Sequence, residues 1–106
     1  MSSGASSRLP VFFETPATQE LIEARDWYNR QRPGMGEKFL DEVERITDLL
    51  REHPYLGPAV SPLSRSVRMK ERFPYRIVYQ VLSDHIRIIA VAHSRRRAMY
   101  WRPRER

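Results

Sequence analysis

The chain has no cysteine among its 106 residues, which excludes a disulfide framework and a thiolate zinc site alike. It holds only three histidines, and no metal-ligand spacing is built around them. There is no glycine-rich phosphate loop and no carboxylate pair suited to acid–base work, so no cofactor is indicated. No apolar run approaches the ~20 residues of a membrane span, and the N-terminus lacks the apolar core of a secretory signal. The expected address is therefore the cytoplasm, with no membrane partner. No internal repeat is visible. The most telling shortage is of negative charge: from Arg65 to Arg106, 12 of the 19 Lys and Arg residues meet only three acids, Glu71, Asp84 and Glu105.

Residues 14–52 reverse that balance, with ten acids against six bases, so the net charge of +6 is polarised along the chain. A segregated surplus orients a protein toward an anionic target, here nucleic acid or a partner that imitates its charge. The length suits one domain able to enclose a modest core without staples. Residues 1–8 are small and polar and read as a disordered leader or a cloning remnant. Residues 9–102 read as the single domain, and 103–106 as a basic tail.

Three periodicities give an α+β organisation. Val11, Phe12 and Phe13 form a short strand-like run stopped by Thr15-Pro16, which suits a helix cap with proline at the first helical position. Ala17, Leu21, Ala24 and Tyr28 make one apolar stripe on a helix over 16–30. Arg32-Pro33-Gly34 breaks it. Phe39, Val43, Ile46 and Leu50 form a second stripe over 36–53, stopped at Pro54, so the two make a helical hairpin. The three prolines and one glycine of 54–64 mark a loop. Beyond it the period becomes two, predicting a three-stranded antiparallel meander over 65–70, 75–82 and 86–93, packed on the helices, with turns at Glu71-Arg72-Phe73 and Ser83-Asp84.

A two-residue turn at Ser83-Asp84 pairs Val81 with Ile86, Tyr79 with Ile88 and Ile77 with Ala90 on the helix side. The other face then takes Arg76 opposite Val91, Val78 opposite Ile89 and Gln80 opposite Arg87. In the preceding hairpin, Val67 and Met69 on the apolar side pair with Ile77 and Tyr75, because a one-residue slip would bury Arg68 and Lys70 at several kcal/mol. Arg68, Lys70, Arg76 and His93 should therefore cluster on the face away from the helices, with Arg87 farther along. The tail adds Arg95, Arg96, Arg97, Tyr100 and Trp101 near His93. Like charges so close repel, and an anion would relieve them.

The phrases Trp27-Tyr28, Arg32-Pro33-Gly34-Met35-Gly36-Glu37-Lys38-Phe39, Phe73-Pro74-Tyr75-Arg76-Ile77-Val78-Tyr79 and Val91-Ala92-His93-Ser94-Arg95-Arg96, taken in that order, resemble the RelE/ParE superfamily of toxins from type II toxin–antitoxin modules. The resemblance covers about residues 10–102 and implies a small acidic antitoxin as partner, in a toxin–antitoxin hetero-oligomer. It also implies one of two targets. RelE-like members are ribosome-dependent, metal-independent endoribonucleases of messenger RNA; ParE-like members inhibit DNA gyrase. On the nuclease reading, Arg76 would stabilise the phosphate, with Arg68 and Lys70 as basic neighbours, Tyr100 as the C-terminal tyrosine, and His93 as an alternative acid or base. Arg95 or Arg96 would supply a further transition-state arginine on that reading, and on either reading Arg87, Arg95, Arg96, Arg97 and Trp101 would meet target or antitoxin.

The Arg72-Phe73-Pro74-Tyr75-Arg76 phrase and the ending His93-Ser94-Arg95-Arg96-Arg97 resemble ParE-like and plasmid-stabilisation members more than RelE nucleases, which favours a gyrase inhibitor. RNA cleavage stands second, and a non-toxic basic binding module third. Each residue also has a plainer reading. Arg68, Lys70 and Arg76 are at outward strand positions where charge serves solubility, Trp27 and Tyr28 suit core or hairpin packing, and Tyr100 and Trp101 suit packing of the tail onto the sheet.

Overall fold

Two apolar stripes and one sheet set the architecture. The computed structural model describes residues 8–70 and 72–106, so nearly all of the expected leader and Glu71 of the expected turn lie outside the described residues. The elements run Val11–Phe13 (β1), Thr15–Gln31 (α1), Met35–Glu52 (α2), Arg65–Arg68 (β2), Tyr75–Val81 (β3), Ile86–His93 (β4) and a 3₁₀ turn at Arg102–Arg104. The helices pair as a hairpin against one face of a four-stranded sheet ordered β1-β4-β3-β2. β1, unplaced by the sequence, is an edge strand parallel to β4. The other pairings are antiparallel. No helix among the described residues is long and apolar enough to cross a membrane.

The stripes fall where their spacing puts them. Phe39, Val43, Ile46 and Leu50 are buried, as are Ala17 and Ala24, with Leu21 and Tyr28 packed at the margin. Facing them from the sheet are Ile77, Tyr79, Ile86, Ile88 and Val91. Full burial of each large side chain contributes about 1.5–3 kcal/mol before chain entropy. Phe73 enters the core from the β2–β3 turn and meets Phe39 and Tyr28 edge-on at 5.3 and 5.1 Å. Trp27 lies one position off the stripe, so it stays 48% exposed and leans edge-on against Tyr28.

The helical hairpin closes on Asn29, whose side-chain oxygen accepts the backbone N–H groups of Gly34 at 3.1 Å and Gly36 at 2.8 Å. These are donors that the start of α2 would otherwise leave unpaired. Gly36 allows the helices to touch: a Cβ there would stand 2.5 Å from the carbonyl oxygen of Arg25. Gly36→Ala is accordingly expected to lower unfolding free energy by about 1–3 kcal/mol, the range of overpacking. Urea denaturation checks this, and an unchanged midpoint would refute the close approach.

Four expectations are corrected. Glu14, not Thr15, occupies the cap position of α1, with Pro16 just inside, and its side chain makes no capping bond because Arg87 takes the carboxylate at 2.8 Å. β2 spans only Arg65–Arg68: Met69 N–H still donates to the Tyr75 carbonyl at 2.9 Å, while Lys70 N–H, on the outer edge, donates to the Glu42 carboxylate at 3.2 Å. The β3–β4 register holds at Val81–Ile86, Gln80–Arg87 and Tyr79–Ile88, then shifts, pairing Ile77 with Val91 and Arg76 with Ala92. A β-bulge between Val78 and Tyr79 is the reason, and as a bulge requires, successive β4 residues Ile89 and Ala90 both face away from the helices. The fourth correction concerns that outer face itself. Its centre is apolar, made of Val78, Ile89, Ala90 and Ala92, and Trp101, Tyr100 and Val60 cover it.

The expected pairing of Val67 with Ile77 and Arg68 with Arg76 is observed. The Ser83-Asp84 turn is closed by Leu82 N–H donating to the His85 carbonyl at 2.9 Å.

Candidate functional site

Strand alternation turns Arg68 and Arg76 outward, and the β2–β3 register sets them directly opposite one another. Both are exposed. One Arg76 nitrogen donates to the Ser66 hydroxyl at 3.2 Å. Among the described residues no carboxylate lies within 4.0 Å of Arg68, Arg76, Arg95 or Arg97. Like charges opposite each other on a sheet destabilise it. Among the described residues this cationic pair, at the edge of the outer face, is uncompensated.

The opposite wall is the tail, which turns back after β4. Met99 adopts the left-handed region at φ 60°, and this turn sends Trp101 down onto the sheet, where it is buried. The clasp is Glu20 of α1. Its carboxylate accepts the Tyr100 hydroxyl at 2.6 Å, two bonds from Arg104 at 3.0 Å, and the Val91 N–H at 2.9 Å. β1 pairs with β4 only along 86–88, so the edge beyond is open. Glu20 and Arg104 fill that gap, the latter donating to the Ile89 carbonyl at 2.9 Å. Glu105, among the residues set apart from sequence as a basic tail, accepts the Ser61 and Ser64 hydroxyls and Arg102.

Between the walls lies a cleft of about 630 Å³ whose lining includes Arg68, Lys70, Arg76, His93, Arg96, Arg97, Tyr100 and Trp101. Eight of the ten residues singled out from sequence therefore meet. Arg87 does not: it is 6% exposed, and its guanidinium is used by Glu14, Gln80 and the Arg104 carbonyl. It was expected farther along an open cationic face, but the docked tail covers that stretch and makes Arg87 a buried fastening. Arg95 lines a second groove of about 970 Å³, with Trp27, Arg30 and Arg72, alongside α1. His93, Ser94 and Arg96 border both.

Several of the eight are already engaged. Lys70 leans toward Glu42 at 4.0 Å, a carboxylate that Arg45 also binds through two bonds. Arg96 lies 3.8 Å from the centre of the Tyr100 ring and 3.9 Å from Glu20. Burial and the adjacent Glu20 carboxylate hold the Tyr100 phenol well above its usual pKa, so it stays a protonated donor to Glu20. Nδ1 of His93 accepts the Arg95 N–H at 2.9 Å, and its ring stands edge-on to Tyr75 at 4.9 Å. Burial, with Tyr28, Glu20 and Glu23 nearby, pushes Tyr75 up to about 12. Among the described residues no group of three His, Asp or Glu side chains is placed to hold a metal ion. The arrangement attracts anions, and among the described residues the Tyr100 hydroxyl and Nδ1 of His93 are already hydrogen-bonded.

Sequence reasoning missed Glu20, Arg104 and Ser66. Glu20 looks like any acid of a solvated helix until the tail is docked on it, and Arg104 like any cation of a basic terminus.

Two other carboxylates, Glu105 under the tail and Glu42 beside Lys70, give the fold a pH signature. For Glu105, burial raises the pKa, but hydrogen bonds from Ser61 and Ser64 and the charge and bond of Arg102 outweigh it and leave the carboxyl below its usual value. In Glu42 the Arg45 bond dominates, with the same net direction. A depressed folded-state pKa contributes stability that is fully present above the ordinary value of 4.5 and lost as pH falls through the lower folded-state value. The melting temperature is expected to drop across that acid window, and Glu105→Gln to flatten the drop. An unchanged slope in that variant would show that the Glu105 contacts with Ser61, Ser64 and Arg102 do not fasten the tail.

Comparison with known proteins adds a family. A model described as "ParE toxin of type II toxin-antitoxin system, parDE" matches residues 11–98. The solved structure of a chromosomal ParDE toxin–antitoxin system from P. aeruginosa is similar at a TM-score of 0.70 and 19% identity, covering 82% of this chain and 97% of that one. The YoeB dimer from Staphylococcus aureus is similar at 0.58 and 19%, covering 81% and 97%. At those identities the likeness concerns the fold alone. A search of curated proteins found no match.

Proposed function

Because the chain belongs to the ParE toxin family of type II toxin–antitoxin systems, we propose that it is a growth-inhibiting toxin that acts by binding, with DNA gyrase as its target. The supporting observation is the state of the cleft. Its paired arginines can hold an anionic surface, while among the described residues Tyr100 is bonded to Glu20 and one ring nitrogen of His93 to the Arg95 N–H. Cleavage through a ribose 2′-hydroxyl needs a base for that hydroxyl and an acid for the leaving oxygen. Binding needs neither.

Family membership implies a cognate antitoxin. Its proposed form is a short, acidic, partly disordered protein that folds on the toxin and neutralises the cationic cleft, in the cytoplasm. Plasmid or chromosome maintenance is the corresponding proposed role.

A paired assay separates the targets. With purified gyrase the toxin is expected to trap cleaved DNA, and in a translation extract to leave messenger RNA intact. Cut messenger RNA with unaffected gyrase would reverse the assignment to a RelE-like nuclease. That second reading has one observation in its favour, the meeting of Arg68, Lys70 and Arg76 in a single cleft.

A further inference from the structure

The tail is fastened firmly at its end and loosely at its joint. In residues 100–106, Trp101 is buried on the apolar floor of Val78, Ile89, Ala90 and Ala92. Tyr100 and Arg104 hold the Glu20 carboxylate, and Glu105 takes the Ser61 and Ser64 hydroxyls. Residues 94–99, which lead there from β4, are exposed throughout. Their backbone bonds are short-range: Arg95 N–H donates to Nδ1 of His93 at 2.9 Å, and Arg96 N–H to the His93 carbonyl at 3.0 Å. Ser94 N–H donates to the Pro74 carbonyl at 2.8 Å, and the Arg96 side chain, itself exposed, lies 3.9 Å from Glu20. Water can replace bonds made at exposed positions, so opening this joint gives up little. Among the described residues Met99 is the only non-glycine with positive φ, at 60°. A residue with a Cβ adopts that conformation at a cost. The turn that returns the tail to its own sheet therefore stores strain, whereas the fastenings are indifferent to which chain supplies the tail.

A strained joint between a body and a docked segment favours exchange of that segment between identical chains. Six extended residues span up to roughly 20 Å, enough for the tail to leave one body and reach another packed beside it. We infer that the chain exchanges tails with a second copy, residues 100–106 of each docking on the outer sheet face of the other in a two-fold dimer. Each cleft is then built by two chains, with Arg68 and Arg76 from one and Tyr100 and Trp101 from the other. The clasp contacts are the same in monomer and dimer, so the joint sets the balance. Opening relieves the Met99 turn in both chains. Against it stand the lost freedom of two molecules and the repulsion between two chains of net charge +6. High protein concentration and salt, which screens that repulsion, therefore favour the dimer. The inference concerns assembly and holds for either proposed target.

Sedimentation of the full chain at rising concentration is expected to show monomer and dimer, with more dimer in high salt. Glycine takes positive φ freely, so Met99→Gly relaxes the closed turn and should weaken dimerisation roughly tenfold. Charge reversal identifies the exchanged element. In Glu20→Arg and in Arg104→Glu, like charges meet at the clasp both within a chain and between identical copies, so each variant alone should be monomeric. In an equimolar mixture, a heterodimer with exchanged tails carries one clasp of native polarity and one reversed. Heterodimers should therefore form, as counted by native mass spectrometry. With Trp27→Phe in both chains Trp101 is the sole tryptophan, and mixing should shift its emission back toward that of a buried indole.

A parent chain that stays monomeric at every concentration and salt overturns the inference. A dimer that Met99→Gly leaves undiminished, or a mixture of folded charge-reversed variants without heterodimers, also overturns it, because the contact then lies on another face. Circular dichroism establishes folding, and if either charge-reversed variant is unfolded, the comparison of Met99→Gly with the parent decides alone.

Discussion

Glu20→Ala is expected to lower the free energy of unfolding by about 2–4 kcal/mol, which would make a helix-surface acid one of the most sensitive positions in the chain. The reason is what the carboxylate holds together. It accepts the Val91 N–H on the uncovered edge of β4, the Tyr100 hydroxyl, and two bonds from Arg104. Alanine would leave a strand N–H and a partly buried guanidinium without their acceptor. Losing one partner of a desolvated ion pair costs more than the pair itself contributes. The tail should loosen, exposing Trp101 and the apolar floor of Val78, Ile89, Ala90 and Ala92. Urea denaturation measures the loss, and the emission maximum of Trp101 in a Trp27→Phe background reports release of the tail. Glu20→Gln keeps acceptors for Val91 and Tyr100 while giving up the charge, so it should fall between parent and alanine variant. A loss under about 1 kcal/mol, the size of one ordinary hydrogen bond, with Trp101 still buried would show that the clasp is not what holds the tail.

The second large effect is functional and leaves the fold alone. Arg76→Ala is expected to abolish growth arrest on induced expression while changing stability by no more than about 0.5 kcal/mol, as at other exposed sites. Arg76 is exposed and bonds only the Ser66 hydroxyl among the described side chains, so little packing is lost. What disappears is half of the cross-strand arginine pair that faces the cleft. Arg76→Lys restores the charge but not the planar fork, and partial activity is expected if the bound group is a phosphate or carboxylate held through two bonds. Growth curves with a parallel melting curve decide the matter. Full arrest by the folded alanine variant would remove the cleft from the toxic mechanism.

The helices were legible because each rests on a local repeat. Ala17 to Tyr28 and Phe39 to Leu50 advance by three and four residues, and that spacing fixes which side is buried whatever the partner. The β2–β3 register was legible for an energetic reason, since the alternative buries Arg68 and Lys70. The β3–β4 register was legible only from the turn to Tyr79–Ile88. Nothing in the run Ile86 to Ala92, apolar at every position but Arg87, marks one residue as the extra one, because both neighbours of Ile89 are as apolar as it is. The cleft was legible in part: alternation on β2 and β3 placed Arg68 and Arg76, but not the wall that faces them. Arg87 was placed on the correct face, opposite Gln80, but its burial was illegible for the same reason, as the tail that covers it has no periodic pattern.

Charge segregation, the absence of cysteine and metal spacing, the helical hairpin and the outward arginine pair are properties of the sequence by itself, since each depends on residues close in the chain or on composition. The position of β1, the bulge at Ile89, the burial of Arg87 and the docking of the tail through Glu20 were decided by tertiary structure. They join residues as far apart as Glu20 and Arg104, 84 positions along the chain. Contacts of that kind are selected by the shape of an assembled core, and local propensity does not record them.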